Sequence, residues 1–249
     1  EAKRFPDIDI HTHSNEFMRE VTSCHDEFGM DPIAYLNEHG VTGPNVLLAH
    51  CVHVSGGEMR ILEETGTRVA YQSVCNSRTA TGVAPVSEFI SRGVPVGIGT
   101  DNMMGAPVNM LEAMRIAVYT QRVVKKDTRA LSNQQAFMLA TMGGAQALRM
   151  DKEIGSLEQG KKADIVFMNL RRQHFTPVIL NERTNLVTQV VAMATERDVD
   201  SVMIDGKMVL ENQVFKTADE AMVVDRAAEM AFDLMQRSPK VLMHHQRII

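Results

Sequence analysis

The pattern that most restricts the fold lies between residue 5 and about residue 150, where short apolar runs end in polar residues and alternate with longer helical stretches. Parallel strands cannot be joined by tight turns, so this alternation predicts consecutive β/α units around a parallel sheet. The runs are Asp7 to His11, Asn45 to His50, Arg68 to Gln72 and Val94 to Asp101. Between them, Ser55-Gly56-Gly57-Glu58 and Ser132-Asn133-Gln134-Gln135 have the form of capping boxes that open helices through Glu64 and Met142. Gly40, Gly66 and Gly93 stand where helices should stop before the next strand.

After Asp151 the expected elements are β segments without long helices: Asp164 to Met168, Val190 to Ala194 and Val199 to Ile204. Asp205-Gly206 is a hairpin turn leading to Met208-Val209-Leu210. Residues 218 to 237 return to helical periodicity, with Ala221, Val224, Ala228, Ala231 and Leu234 or Met235 on one face. With 249 residues, 44% of them hydrophobic, the chain can build one large core or two modest ones.

Charge and cysteine use narrow the function classes. A net charge of -5 without any basic run argues against a nucleic acid polymer as partner. Cys24, Cys51 and Cys75 form no C-x-x-C pair, which fits a reducing compartment. No apolar stretch reaches the roughly 20 residues that a membrane span needs, and the N-terminus shows no signal-peptide pattern. The expectation is a cytoplasmic protein with no membrane partner.

The strand ends carry the chemistry. In His11-Thr12-His13 the two imidazoles point to the same side of an extended chain, which suits one metal ion, or they simply cap a strand. Glu16 follows within three residues, as a carboxylate able to move protons. His50 ends the second run and Asp101 the fourth; singly, these read as a buried histidine and a helix N-cap. Together they gain weight, because strand ends of a β/α barrel surround one shared mouth. Imidazole and carboxylate are ligands of catalytic zinc or iron, which lowers the pKa of a water molecule. Competing motifs are weaker. Gly97-x-Gly99 is followed by Asn102 where a dinucleotide fingerprint requires glycine, and there is no H-E-x-x-H, G-x-S-x-G, P-loop or P-C-x-x-C.

His13-Ser14-Asn15-Glu16, Leu48-Ala49-His50-Cys51, Asn76 before Gly82-Val83-Ala84-Pro85, and Gly99-Thr100-Asp101 together resemble the amidohydrolase superfamily. The likeness is to its branch of aromatic-ring deaminases and chlorohydrolases, such as cytosine, guanine and methylthioadenosine deaminases and triazine hydrolases. Gly155 to Val166 resembles the passage by which that branch leaves its barrel for a small β-sandwich. The resemblance implies that the fold is α/β: the second half of a (β/α)8 TIM-type barrel over residues 1–150, then part of a β-sandwich over 151–215, then a helical extension over 216–249. The first-strand His-x-His and barrel strands one to four have no counterpart in this sequence.

It further implies that His13 binds the metal and Glu16 shuttles protons. His50 would bond to the activated water or the substrate, and Asp101 would bind metal and accept a proton from water. His11 loses its ligand role and joins Asn76 and Asn102 as a candidate for the substrate pocket, with Arg78 and Met103 nearby. The implied cofactor is one divalent metal, zinc ahead of iron. The implied activity is hydrolytic deamination of a nitrogen heterocycle, a small-molecule substrate. Alternatives are dechlorination, cleavage of a cyclic amide, or a catalytically incomplete half-barrel that needs its N-terminal half or a partner chain. Open sheet edges on such a half point to a homo-oligomer.

Overall fold

The computed structural model describes residues 7–101 and 108–237. Four parallel strands lie side by side in chain order: β1 (Ile10–Ser14), β2 (Val46–His50), β3 (Arg68–Tyr71) and β4 (Val96–Ile98). Helices α1 (Met18–Phe28) and α2 (Pro32–Glu38) connect β1 to β2, and α3 (Gly56–Thr65) connects β2 to β3. Helices α4 (Ser73–Arg78) and α5 (Val86–Ser91) precede β4, and α6 (Met110–Lys125), α7 (Asn133–Ala140) and α8 (Met142–Ala147) follow it. Both expected capping boxes form, at Ser55/Glu58 and Ser132/Gln135.

Register gives the sheet two unlike faces. Thr12, Leu48, Val69 and Val96 stand in one row, and the last three join a core with Met59, Leu62, Phe89, Met114 and Val118. The next row, His13, Ala49, Ala70 and Gly97, points the other way. Gly97 is required there, because a Cβ on it would come within 2.9 Å of the Gly144 Cα in α8. Buried Arg68 secures the same region by donating to the Ala147 carbonyl at the end of α8 and to the Asp9 carboxylate.

The chain divides into two compact units, one made of residues up to 163 together with 169–198, the other of residues 164–168 and those from 199 on. The first unit also contains α9 (Leu186–Met193). The second contains an antiparallel sheet in the order β5 (Ile165–Met168), β6 (Val199–Ile204), β7 (Lys207–Glu211), β8 (Val214–Phe215), followed by α10 (Glu220–Arg237). Asp205 and Gly206 take left-handed φ values of 48° and 75° in the β6–β7 hairpin, as the Asp-Gly pair requires. No described helix is long and apolar enough to cross a membrane.

Three local expectations need correction. The first strand spans Ile10–Ser14 rather than Asp7 to His11, because Ile10 pairs with Val46 and donates to the Asn45 carbonyl, while Asp9 is taken by Arg68. The helix expected to run through Met142 breaks at Thr141, and α8 restarts so that Gly143 and Gly144 lie against β4. Val190 to Ala194 is not a strand but the end of α9. Its valines satisfy β propensity, yet Val191 is buried in the core, and Arg115 of α6 donates to the Val191 and Ala194 carbonyls that a helix end leaves open.

Asp198 is a measurable anchor of the first unit. It is buried and accepts from the Thr195 amide at 2.8 Å, the Thr195 hydroxyl at 3.0 Å and His174 Nε2 at 3.0 Å. Burial pushes its pKa up, but the bonds from Thr195 and His174 outweigh this and hold the carboxyl below its usual value. A depressed folded-state pKa stabilises above the unfolded carboxylate pKa, and the benefit is lost as pH falls through the folded value. The urea stability lost in Asp198→Asn is therefore expected to be largest at neutral pH and to shrink below about pH 4. A loss that is constant with pH would assign Asp198 a purely packing role.

Candidate active site

The ends of β1 and β2 are locked together. Ser14 pairs with His50, so the two strands finish at the same level. Asn15 then turns at φ 56° and is held on every side: its carbonyl accepts the Val52 and His53 amides at 3.0 Å, and its side-chain amide donates to the His53 carbonyl and to Glu58 Oε1. Glu58 is only 1% exposed and also accepts the Ile33 and Ser55 amides, at 2.9 and 2.8 Å. Glu20 of α1 accepts the Asn15 and Glu16 amides at 3.1 and 2.9 Å and so sets the backbone from which Glu16 projects.

Four of the sequence candidates converge beside this clamp. His13, His50 and Asp101 each offer a ligand atom, and these atoms lie within 4.8 Å of one another. The His13 and His50 rings stack with centroids 5.1 Å apart. Glu16 Oε2 lies 3.6 Å from His50 Nε2. Asn15, His50 and Asp101 all have φ between 56° and 72°, a region that costs a non-glycine residue roughly 1–2 kcal/mol. Such strain collects where side chains must be aimed at a site.

Burial pulls the His50 imidazole below its ordinary pKa, and His13 adds to this. Glu16 and Asp101 oppose the shift, as does the hydrogen bond from Asn76, without reversing it. The Cys75 thiol is pushed up to about 12 by burial and by its hydrogen bond to Asp101, so it stays protonated beside that carboxylate. His50 Nε2 is buried with no hydrogen-bond partner. A polar atom left in that state beside one imidazole and two carboxylates fits a site completed by a cation and its water.

The remaining candidates fall elsewhere. His11 is exposed on the same sheet face as His13 but is not part of the group formed by His13, His50 and Asp101. Burial, then His13 and Arg68, lower its pKa. Asn76, expected in the pocket wall, stands behind His50: it is 1% exposed, and its amide nitrogen reaches His50 Nδ1 at 2.9 Å and Thr81 Oγ1 at 3.0 Å. Arg78 ends α4 in an exposed position. Asn102 and Met103 lie outside the described residues. Sequence reasoning missed Asn15, Glu20 and Cys75, and treated Glu58 only as a cap. The available signal was polar density: Ser14, Asn15 and Glu16 follow a strand, where one carboxylate alone would suffice.

The model of the Amidohydrolase family matches residues 1–209. The chain belongs to that family. It is 36% identical over 229 residues to a 5-methylthioadenosine/S-adenosylhomocysteine deaminase of Thermoanaerobacter pseudethanolicus, covering 92% of this chain and 52% of the relative. Its structure is similar to that of an adenosine deaminase from Xanthomonas campestris with bound zinc, with a TM-score of 0.88 and 27% identity over 94% of this chain and 52% of the other. It also resembles the atrazine chlorohydrolase of Arthrobacter aurescens TC1 complexed with zinc, with a TM-score of 0.82 and 25% identity over 92% and 49% of the two chains. The chain thus spans about half the length of the proteins it matches.

The clamp can be tested apart from chemistry. Glu58→Ala strands three buried or half-buried donors and is expected to cost about 3 kcal/mol or more in urea unfolding. Glu63→Ala removes an exposed carboxylate that pairs with Arg92 and should cost less than about 1 kcal/mol. Equal losses for the two variants would contradict the clamp.

Proposed function

We propose that this chain carries the second half of the active site of a hydrolytic deaminase acting on an adenosine-type nucleoside or a related amino-substituted nitrogen heterocycle. The observation that carries the reading is the placement of Glu16 beside His50 at the same strand ends where His13, His50 and Asp101 converge. The deaminases among the similar proteins support the substrate class, since their names specify adenosine and adenosine thioethers.

In this reading His13 and Asp101 hold a divalent ion, zinc before iron. When bound, the ion supplies Lewis acidity that brings the pKa of water toward neutrality. Asp101 takes the proton released as water adds to the ring carbon bearing the amino group. Glu16 relays the other proton of that water to the adjacent ring nitrogen and then the proton held by Asp101 to the departing amine, so the C–N bond breaks with release of ammonia and the ring keeps the oxygen as a carbonyl. His50 donates a hydrogen bond toward the incoming oxygen. A carboxyl that works as acid and base in successive steps contributes about 10²–10⁴ in rate.

We further propose the architecture that this chemistry needs. Residues 1–150 supply the last four strands of a (β/α)8 barrel, 151–215 the C-terminal part of a β-sandwich, and 216–249 a helical extension. Parallel β1–β4 with their core helices on one face, antiparallel β5–β8, and the half-length match support it. A remaining half, from the same gene or from another chain, would complete the metal site and cover the open sheet edges.

The test is ammonia release from adenosine and 5-methylthioadenosine by the zinc-loaded protein with that half present. Glu16→Gln should lower kcat by about 10²–10⁴ while keeping the zinc content. An unimpaired Glu16→Gln would overturn the shuttle role. Release of chloride from atrazine without ammonia from any nucleoside would favour the chlorohydrolase reading, which the likeness to the atrazine enzyme supports.

A further inference from the structure

The two ring nitrogens of His50 have opposite surroundings. Nδ1 lies 2.9 Å from Asn76 Nδ2, an amide nitrogen that also donates to Thr81 Oγ1 at 3.0 Å. Nε2 is buried with no hydrogen-bond partner, 3.6 Å from Glu16 Oε2 and in the same cluster as Asp101. A neutral imidazole carries one proton, on one nitrogen or the other. On Nδ1 it would confront the Asn76 N–H, and the Nε2 lone pair would face two carboxylates. On Nε2 the Nδ1 lone pair accepts from Asn76, and the N–H points toward negative charge.

Rotating the Asn76 amide by half a turn would present its oxygen to Nδ1 and reverse the first preference. It would leave the second against it, because the lone pair on Nε2 would then meet Glu16 and Asp101. Distances alone nominate His13, His50 and Asp101 equally as ligands. A nitrogen binds a metal only through its lone pair, however, so the proton position separates His50 from His13.

We propose that Asn76 is a positioning residue that fixes His50 as the tautomer protonated on Nε2, making His50 a hydrogen-bond donor to the reacting centre and withholding it from the metal. The assignment rests on His13 and Asp101 as the metal's ligands in the function proposed above. It moves Asn76 from the pocket wall to a station behind the ring, between His50 and Thr81.

Nitrogen-15 NMR of histidine-labelled protein at mildly alkaline pH tests this, with His50→Gln identifying the resonances. The zinc-free protein should show Nε2 carrying the proton and Nδ1 bare, and zinc should leave that proton in place. Asn76→Asp puts an acceptor against Nδ1 and should exchange the two signals, with kcat reduced about 100-fold and KM little changed. Asn76→Ala, which removes the donor without adding an acceptor, should give a mixture of tautomers. It decides the matter if the aspartate variant fails to fold. A proton on Nδ1 in the wild type, loss of the Nε2 proton on adding zinc, or an unchanged Nε2–H in the variants would each overturn the proposal. The NMR pattern in zinc-free protein does not depend on turnover, so a protein that shows it without releasing ammonia would refute the deaminase reading alone.

Discussion

Parallel strands bring two reacting side chains together only when the chain leaves both strands at the same level, and the pairing of Ser14 with His50 imposes this on β1 and β2. The turns that follow would otherwise diverge toward α1 and α3. Asn15 prevents that by bonding to the backbone after β2 and to Glu58, a carboxylate brought in from the first turn of α3. Glu58 in turn holds the start of α2 through the Ile33 amide. One buried carboxylate therefore joins three loops, and the spacing between Glu16 and His50 is inherited from it. The geometry at these strand ends is thus set by hydrogen bonds within the chain itself.

That arrangement also separates two kinds of polar residue. Groups such as Glu58 and Asn15 use up their hydrogen-bonding capacity inside the protein, which rigidifies the loops. His50 Nε2 is buried without a hydrogen-bond partner and so carries an uncompensated desolvation cost. The left-handed φ values at Asn15, His50 and Asp101 follow the same division: the clamp tolerates strain so that side chains reach one point.

Much of this was legible in the sequence. The four runs, their polar ends and the capping boxes depend on nearest-neighbour chemistry, and Ser55/Glu58 and Ser132/Gln135 formed as written. His13, Glu16, His50 and Asp101 were recognisable because a parallel sheet gathers its strand ends. What escaped depended on distant partners. Val190 and Val191 look like strand residues until Arg115 supplies the missing helix-end donors. The start of β1 was set by Asn45 and Arg68, which lie far along the chain. Asn76 was noticed as part of a motif, but its position behind His50 needs the packing of α4 and Thr81, which spacing does not reveal.

The chain passes between its two units three times, at residues 163/164, 168/169 and 198/199. Strands β5 and β6 are neighbours in one sheet, yet the thirty residues between them fold with the other unit and place α9 on α6 and α7. No single cut can therefore yield two pieces that each retain a whole core. Recombination or gene fission within 164–198 would separate α9 from the helices it covers or β5 from its partner. A lineage that exchanged the antiparallel module would have to carry this excursion across with compensating changes in α6, or sever the chain at all three crossings and rejoin it.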